Sequence, residues 1–175
     1  MRWEELAQQP CSLARTMAVV GDRWTLLVLR DCFLGVRRFD EFEKRLGVTR
    51  HVLSGRLKKL VEYGVLSRVP YQQRPRREEY RLPERGLELH PAIMALVSWG
   101  DRHMADARGA PVQHVHSSCG QIMRPITTCS QCGEAVGARD IQVQASPGWV
   151  EAAGKMLPVA PGKPGLPAVG SETQA

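Results

Sequence analysis

The stretch that decides the fold runs from Phe39 to Arg81, FDEFEKRLGVTRHVLSGRLKKLVEYGVLSRVPYQQRPRREEYR. Its opening residues put Phe39, Phe42 and Leu46 on one face of a helix over 39–46, and Gly47-Val48 makes the short turn that follows. Thr49 stands where an N-cap belongs, and Gly64 where a C′ glycine closes a helix. Between those caps Leu53, Leu57, Leu60 and Val61 recur at helical spacings, which gathers them into one apolar stripe that must face a core. The opposite side then carries His51, Ser54, Gly55 and Lys58, with Lys59 flanking it and Arg50 in the first turn. A glycine inside a helix costs about 1 kcal/mol relative to alanine, so Gly55 on the outer face suggests close approach by a partner such as a DNA backbone. Two helices joined by so short a link cross steeply, as a DNA-reading helix-turn-helix requires.

After Gly64 the period changes. Leu66 to Val69 and Glu79 to Leu82 are predicted to pair as strands, and the connection from Pro70 to Arg77 is too polar to be core. That connection carries Arg74, Arg76 and Arg77, whose guanidinium groups suit phosphate or a narrow minor groove. From Arg37 to Arg81 thirteen Lys or Arg stand against six Asp or Glu, a net of +7, while the whole chain is only +6. The positive field is therefore concentrated on one module, and it favours salt-sensitive binding to a polyanion. A single basic helix face is ordinarily just solvated. The turn, the caps and the arginine hairpin taken together favour double-stranded DNA, read through Thr49, Arg50, His51, Ser54, Gly55, Lys58, Lys59, Arg74, Arg76 and Arg77.

Further matches extend this pattern: Cys11, Gly21-Asp22-Arg23-Trp24 ahead of an apolar helix, Arg38-Phe39-Asp40-Glu41-Phe42, Leu53, Arg56-Leu57, Leu60, Gly64, Arg68, Pro75, Arg77, Glu79-Tyr80, Leu82, Glu84, Gly86 and Trp99-Gly100. In these residues the chain resembles the HxlR-type family of bacterial winged helix-turn-helix regulators, over roughly its first two thirds. The resemblance implies a homodimeric transcriptional regulator of a kind that commonly senses electrophiles, oxidants or small ligands. The chain departs from the family pattern in three places. Ser12 follows Cys11 where proline is usual, Pro83 replaces a helix-capping threonine, and Glu78 stands where an apolar wing residue is common.

Outside the central stretch, no apolar run reaches the ~18 residues of a membrane span, and Trp3-Glu4-Glu5 is unlike the basic and apolar start of a signal peptide. A cytoplasmic location with no membrane partner is expected. Five unevenly spaced cysteines argue against a secreted disulfide framework. Ser12 to Val20 is predicted to be a helix with Leu13, Met17 and Val20 inward, and Cys11 lies at its N-terminal edge. There the helix dipole and Arg15 would favour a thiolate, which makes Cys11 the redox-sensing candidate; the competing reading is a small, partly buried apolar residue. Cys32 falls within a helix predicted over 24–34, beside Leu27, Val28 and Leu29, and reads as a buried inert thiol. Trp24 opens that helix and reads as a packing anchor rather than the wall of an effector pocket.

Glu84 to Ala107 is predicted to form a long helix kinked at Pro91. Leu87, Leu89, Ile93, Met94, Leu96, Val97 and Trp99 give it more apolar surface than a lone helix keeps in water. A second copy of the chain is the natural cover, with packing against the first helix contributing. A two-fold interface there would set two recognition helices about one DNA turn (~34 Å) apart on a palindromic site.

A second informative segment follows. His116-Ser117-Ser118-Cys119-Gly120 and Cys129-Ser130-Gln131-Cys132-Gly133 are two copies of one pattern: a ligand, two residues, Cys, Gly. Each has the form of a zinc knuckle, and two knuckles supply a closed tetrahedral set, His116, Cys119, Cys129 and Cys132, for a structural Zn2+ ion. His114 competes for the fourth place. Ordinary reduced thiols, or a redox pair of Cys129 and Cys132, are the alternatives; the doubled knuckle, with Arg124-Pro125-Ile126 between and strand-like Ile141 to Val143 after, favours zinc. Beyond Ala153 the chain turns to Pro, Gly and Ala without periodicity and is expected to be disordered.

The expected architecture is α+β. Residues 1–110 form a winged helix-turn-helix domain with dimerising terminal helices, 111–150 a small zinc-ribbon-like module, and 151–175 a disordered tail. The leading function is a sequence-specific DNA-binding regulator, acting as a homodimer and responsive to a small effector or to thiol oxidation. The alternatives are a zinc-stabilised protein-interaction module, or a zinc or thiol enzyme without operator binding. A hydrolase built on His114, His116, Cys119 and Glu134 lacks a close HxxxE-type arrangement, and a CxxC oxidoreductase lacks its βαβ setting.

Overall fold

Leu53, Leu57 and Leu60 keep no more than 1% of their surface exposed, and the hydrophobic core gathers around the helix that carries them. The computed structural model describes residues 3–143. Its elements are α1 (Trp3–Ala7), α2 (Ser12–Val20), α3 (Arg23–Phe33), α4 (Phe39–Leu46), α5 (Arg50–Glu62), β1 (Ser67–Gln72), β2 (Arg77–Arg81), α6 (Glu84–Leu87) and α7 (His90–His103). The chain divides into two compact units, Met1–Pro125 and Ile126–Ala175, and every one of these elements belongs to the first. The tail expected over 151–175 lies outside the described residues.

The core is small and aliphatic. Val28 and Leu29 of α3, Phe42 of α4 and the three leucines of α5 meet Val48 of the turn and Val65 and Leu66 beyond α5. Buried leucines of this kind each contribute on the order of 2 kcal/mol through removal from water alone. The turn is set by Gly47, whose φ of +61° closes α4 while its N–H still donates to the Glu43 carbonyl. Val48 then drops into the core and Thr49 starts α5, so three residues reverse the chain. Gly64 has φ +67°, as expected of a C′ glycine.

Two polar clamps hold α3 against its neighbours. Asp22 caps α3, accepting from the N–H groups of Trp24 (3.0 Å) and Thr25 (3.2 Å). The same carboxylate lies 2.9 Å from Nε of Arg56 on α5, an ion pair whose angle departs from that of a hydrogen bond. Asp31, fully buried, is held by the half-exposed guanidinium groups of Arg30 (2.9 Å) and Arg45 (3.3 Å), which ties α3 to α4. A buried carboxylate is tolerable only when paired in this way.

Several expectations are corrected. Leu13 does not point inward: it is 68% exposed, and Ala18 takes the buried place beside Val20. The 84–107 segment is not one kinked helix but α6 and α7, because Pro91 stands in the first turn of α7, where a missing N–H costs nothing. The hairpin strands reach further toward the tip than the apolar residues do, so Arg77 lies on β2 rather than in the connection. Ile141 to Val143 forms no strand. In the 111–143 segment the described pairing consists of isolated bridges, Val115 with Ile122 and Thr128 with Ala135.

If the α5 stripe holds the unit together, Leu57→Ala leaves a cavity that cannot collapse and costs about 2–5 kcal/mol. Urea unfolding should show a lower midpoint with an unchanged slope, and an unmoved midpoint would contradict this account of the core.

Candidate functional site

Burying the leucine stripe leaves the other face of α5 to solvent. Thr49, Arg50, His51, Ser54, Gly55 and Lys58 are all exposed, and Lys59 is half-buried. Thr49 begins the helix without a side-chain cap bond. Arg50 is already engaged: its guanidinium lies over the Phe39 ring at 4.7 Å, and Nη1 is 2.6 Å from Glu43 and 3.5 Å from Asp40. Lys58 pairs loosely with Glu62 one turn on, at 3.7 Å. Burial, and secondarily the Arg56 guanidinium, lower the Lys59 pKa from its ordinary value, with Asp22 opposing. A Cβ built on Gly55 meets nothing within 4 Å, so no contact within the chain calls for a glycine there.

The wing is an antiparallel pair in which Ser67 faces Arg81, Arg68 faces Tyr80 and Val69 faces Glu79, with a bulge between Pro70 and Gln72. It is fastened to the helices by the Tyr80 N–H, which donates to the Arg37 carbonyl at 2.8 Å, and by Tyr80 against Phe42, edge to face at 6.4 Å. Arg74, Arg76 and Arg77 are exposed. Glu78, where an apolar wing residue is common, binds Arg76 at 2.7 Å and approaches Arg68 at 3.9 Å. Arg38, at the start of α4, stacks on Tyr71 of the bulge at 4.7 Å. The sequence alone does not mark Arg38, Asp22 and Arg56 as positioning residues; only the Asp22 position, just before an apolar helix, carries a capping signal.

Cys11 is half-buried and occupies the N-cap position of α2, and Arg15 Nε donates to the Gln9 carbonyl at 2.7 Å. Cys32 is half-buried rather than buried, and burial first and then Asp31 push its thiol up to about 12. Among the metal-donor candidates, His116 Nδ1 and Cys119 Sγ are 3.3 Å apart. The Cys129 thiol is held below its ordinary pKa, first by the Cys132 N–H and then by that of Gln131. No three His, Cys, Asp or Glu side chains are gathered around a common point among the described residues. His114 faces a separate cavity of about 300 Å3, lined also by Met94, Val97, Asp101, Arg102 and Arg124.

Residues 19–108 match the family model described as HxlR-like helix-turn-helix. The chain belongs to this HxlR-like family. An HTH-type transcriptional regulator of Mycobacterium tuberculosis is 44% identical over 138 residues, which is 79% of this chain and 87% of the relative. The HTH-type regulator YdeP of Bacillus subtilis is 33% identical over 94 residues, 53% of this chain and 73% of its own. Among solved structures, the transcription factor PA1607 superposes with a TM-score of 0.73 at 34% identity, covering 81% of this chain and 99% of its own. The redox regulator HypR in its reduced form gives a TM-score of 0.50 at 29% identity, covering 53% and 92%. The mycobacterial match is longer than residues 1–110, so it takes in part of the segment that carries the knuckles.

In this HxlR-like chain a methyl added at Gly55 meets no other atom of the chain. Gly55→Ala should raise stability by about 0.5–1 kcal/mol, because the added methyl meets open space and the unfolded chain loses freedom. If a DNA backbone approaches there, the same change should weaken duplex binding by about tenfold or more, or roughly 1.4 kcal/mol. Thermal melting and a duplex titration on one preparation check both signs, and undiminished binding removes Gly55 from the interface.

Proposed function

We propose that this chain is a DNA-binding transcriptional regulator that occupies a palindromic operator as a homodimer, with a small effector or oxidation of Cys11 shifting its affinity. The family is one of transcriptional regulators, not enzymes, so the hydrolase and oxidoreductase readings fall away. The observation that carries the proposal is the basic outer face of α5 lying free of the core in the same unit as an arginine-bearing wing. No described helix is long and apolar enough to cross a membrane.

Support for the homodimer comes from α7. Its Ile93 and Met94 are buried while Leu96 and Trp99 are 56% and 57% exposed, so the helix shows water a second apolar face. A patch of that kind marks an interaction site. Support for an effector comes from the cavity beside Met94, Val97 and Asp101, which lie on the side of α7 away from Leu96 and Trp99. Support for thiol control is the half-buried Cys11 at a helix start, together with the redox regulator among the similar structures.

Selection of bound fragments from random duplex DNA, with and without oxidant, tests the whole. A two-fold symmetric sequence with half-sites about one helical turn apart is expected, and indifference to duplex DNA at low ionic strength would refute the proposal. On the selected site, Lys58→Ala should weaken binding and flatten the salt dependence of log K by about 0.9 for each phosphate that the lysine neutralises. Trp99→Asp should yield folded monomers in sedimentation, with operator affinity reduced at least about tenfold. Dimers that persist unchanged would move the interface off α7.

A further inference from the structure

Met94, Val97, Ser98, Asp101 and Arg102 recur at spacings of three and four, so they share one side of α7, and that side forms a wall of the cavity of about 300 Å3. The facing wall comes from residues 110–125, which lie in the same compact unit as α7. There the Met123 N–H donates to the His114 carbonyl at 2.8 Å and Val115 bridges Ile122, which brings Met123 and Arg124 next to His114. The lining changes character from floor to rim. Met94 is buried and Val97 half-buried, whereas Arg102 and Arg124 are exposed. Elsewhere in this unit Asp22, Asp31 and Asp106 each hold an arginine. Among the described residues Asp101 holds none, although two arginines line the same cavity. Complementary charges thus border a space that the chain itself does not bridge.

We propose that this cavity takes a small amphipathic carboxylate, an organic monoanion with an apolar body. The guanidinium groups of Arg102 and Arg124 against the one carboxylate of Asp101 leave the lining with an excess of positive charge, which a monoanion neutralises. An ammonium ligand would meet that excess with like charge, and an uncharged ligand would leave it uncompensated. Guanidinium also presents parallel N–H donors in the geometry that a carboxylate accepts. The polarity gradient orients the ligand: its charge lies at the exposed arginines of the rim, and its body lies against Met94, Val97, Ile122 and Met123. Methionine is unbranched and adapts to the outline of what it touches. The volume stands at the lower end of the range of ligand pockets, about 300–1,000 Å3, which restricts the body to a short alkyl chain or a small ring system. This deepens the effector reading above and rests on it only for the consequence at DNA. Met94, Val97 and Asp101 touch the ligand, while Leu96 and Trp99 of the same helix carry the face proposed for the second copy. A ligand that prefers one packing of α7 therefore shifts the dimer, and with it operator affinity.

The test is calorimetric titration of the full chain, without DNA, using octanoate and naphthoate as probes of a chain-like and a ring-shaped body. Saturable binding of at least one carboxylate is expected, with its own amide and with octylamine at least about tenfold weaker. Arg102→Gln and Arg124→Gln should each weaken the carboxylate by about tenfold. Arg108→Gln, outside the cavity, should leave it unchanged, while far-ultraviolet dichroism in all three shows the helices intact. Wild-type chain that takes up neither carboxylate overturns the proposal. So does an amide that binds as tightly as its acid, or octylamine that binds more tightly than octanoate, which would make Asp101 the anchor. Because these comparisons use the unmodified chain, a variant that fails to fold does not rescue the idea. Operator affinity with and without the carboxylate is a separate readout. A chain that binds the carboxylate but ignores duplex DNA refutes the regulator and keeps the site, whereas one that binds its operator but no carboxylate refutes the site alone.

Discussion

The stripe of Leu53, Leu57 and Leu60 is the constraint on which the remainder of the winged unit depends. Burying it against Val28, Leu29 and Phe42 fixes the rotation of α5 about its own axis. Helical geometry then leaves no freedom over where His51, Ser54, Gly55 and Lys58 point, since residues that share neither the stripe nor its flanks must face away from it. The Asp22–Arg56 pair and the Asp31 cluster add registration along the axis, joining the start of α3 to the middle of α5 and the end of α3 to the end of α4. The direction in which the outer face of α5 looks is thus a by-product of core packing, with polar clamps setting its final position.

The charged groups on that surface are already engaged with one another. Arg50 is shared between Phe39, Glu43 and Asp40, and Arg76 is bound to Glu78. Exposed pairs of this sort contribute about 1 kcal/mol or less, well below what several phosphates return through counterion release. The pairs therefore hold long side chains in order without blocking their transfer to a polyanion. They also lower the positive field around Arg50 and Arg76. The excess of positive charge between Arg37 and Arg81 is thus tempered by the carboxylates interleaved with it.

How much of this is legible in the sequence follows from where hydrophobic pattern and structure share a cause. The bounds of α4 and α5 and both closing glycines can be read because burial of Phe42 and the leucines writes a 3.6-residue period into the chain. The outer rungs of the hairpin cannot, because Pro70 with Glu78 and Gln72 with Arg77 are paired by backbone alone and bury nothing apolar. The 84–107 segment misleads for the opposite reason: Leu87 and Leu89 continue an apolar period across a break that Pro91 makes at the start of α7. Spacing places Leu13 inward, although nothing in the described unit covers it. Asp22 with Arg56, and Asp31 with Arg45, join residues distant in sequence, and no local pattern announces such pairs. The repeat of the two knuckle segments is legible by residue type and spacing, and the matching backbone hydrogen bonds of 114–123 and 127–136 have the same offset.

Residues beyond α7 answer a different physical problem from those before it. The winged unit offsets the entropy of ordering by withdrawing leucines, valines and a phenylalanine from water. Each ordered residue costs about 1–2 kcal/mol in backbone freedom, and the hairpins around His116 and Cys129 hold no fully buried residue to offset it. What each hairpin has instead is its own short ladder, closed by a left-handed glycine directly after a cysteine, Gly120 in one and Gly133 in the other. Net hydrogen bonds in water contribute only about 1 kcal/mol each, so these turns are specified by local geometry where the winged unit is specified by its core.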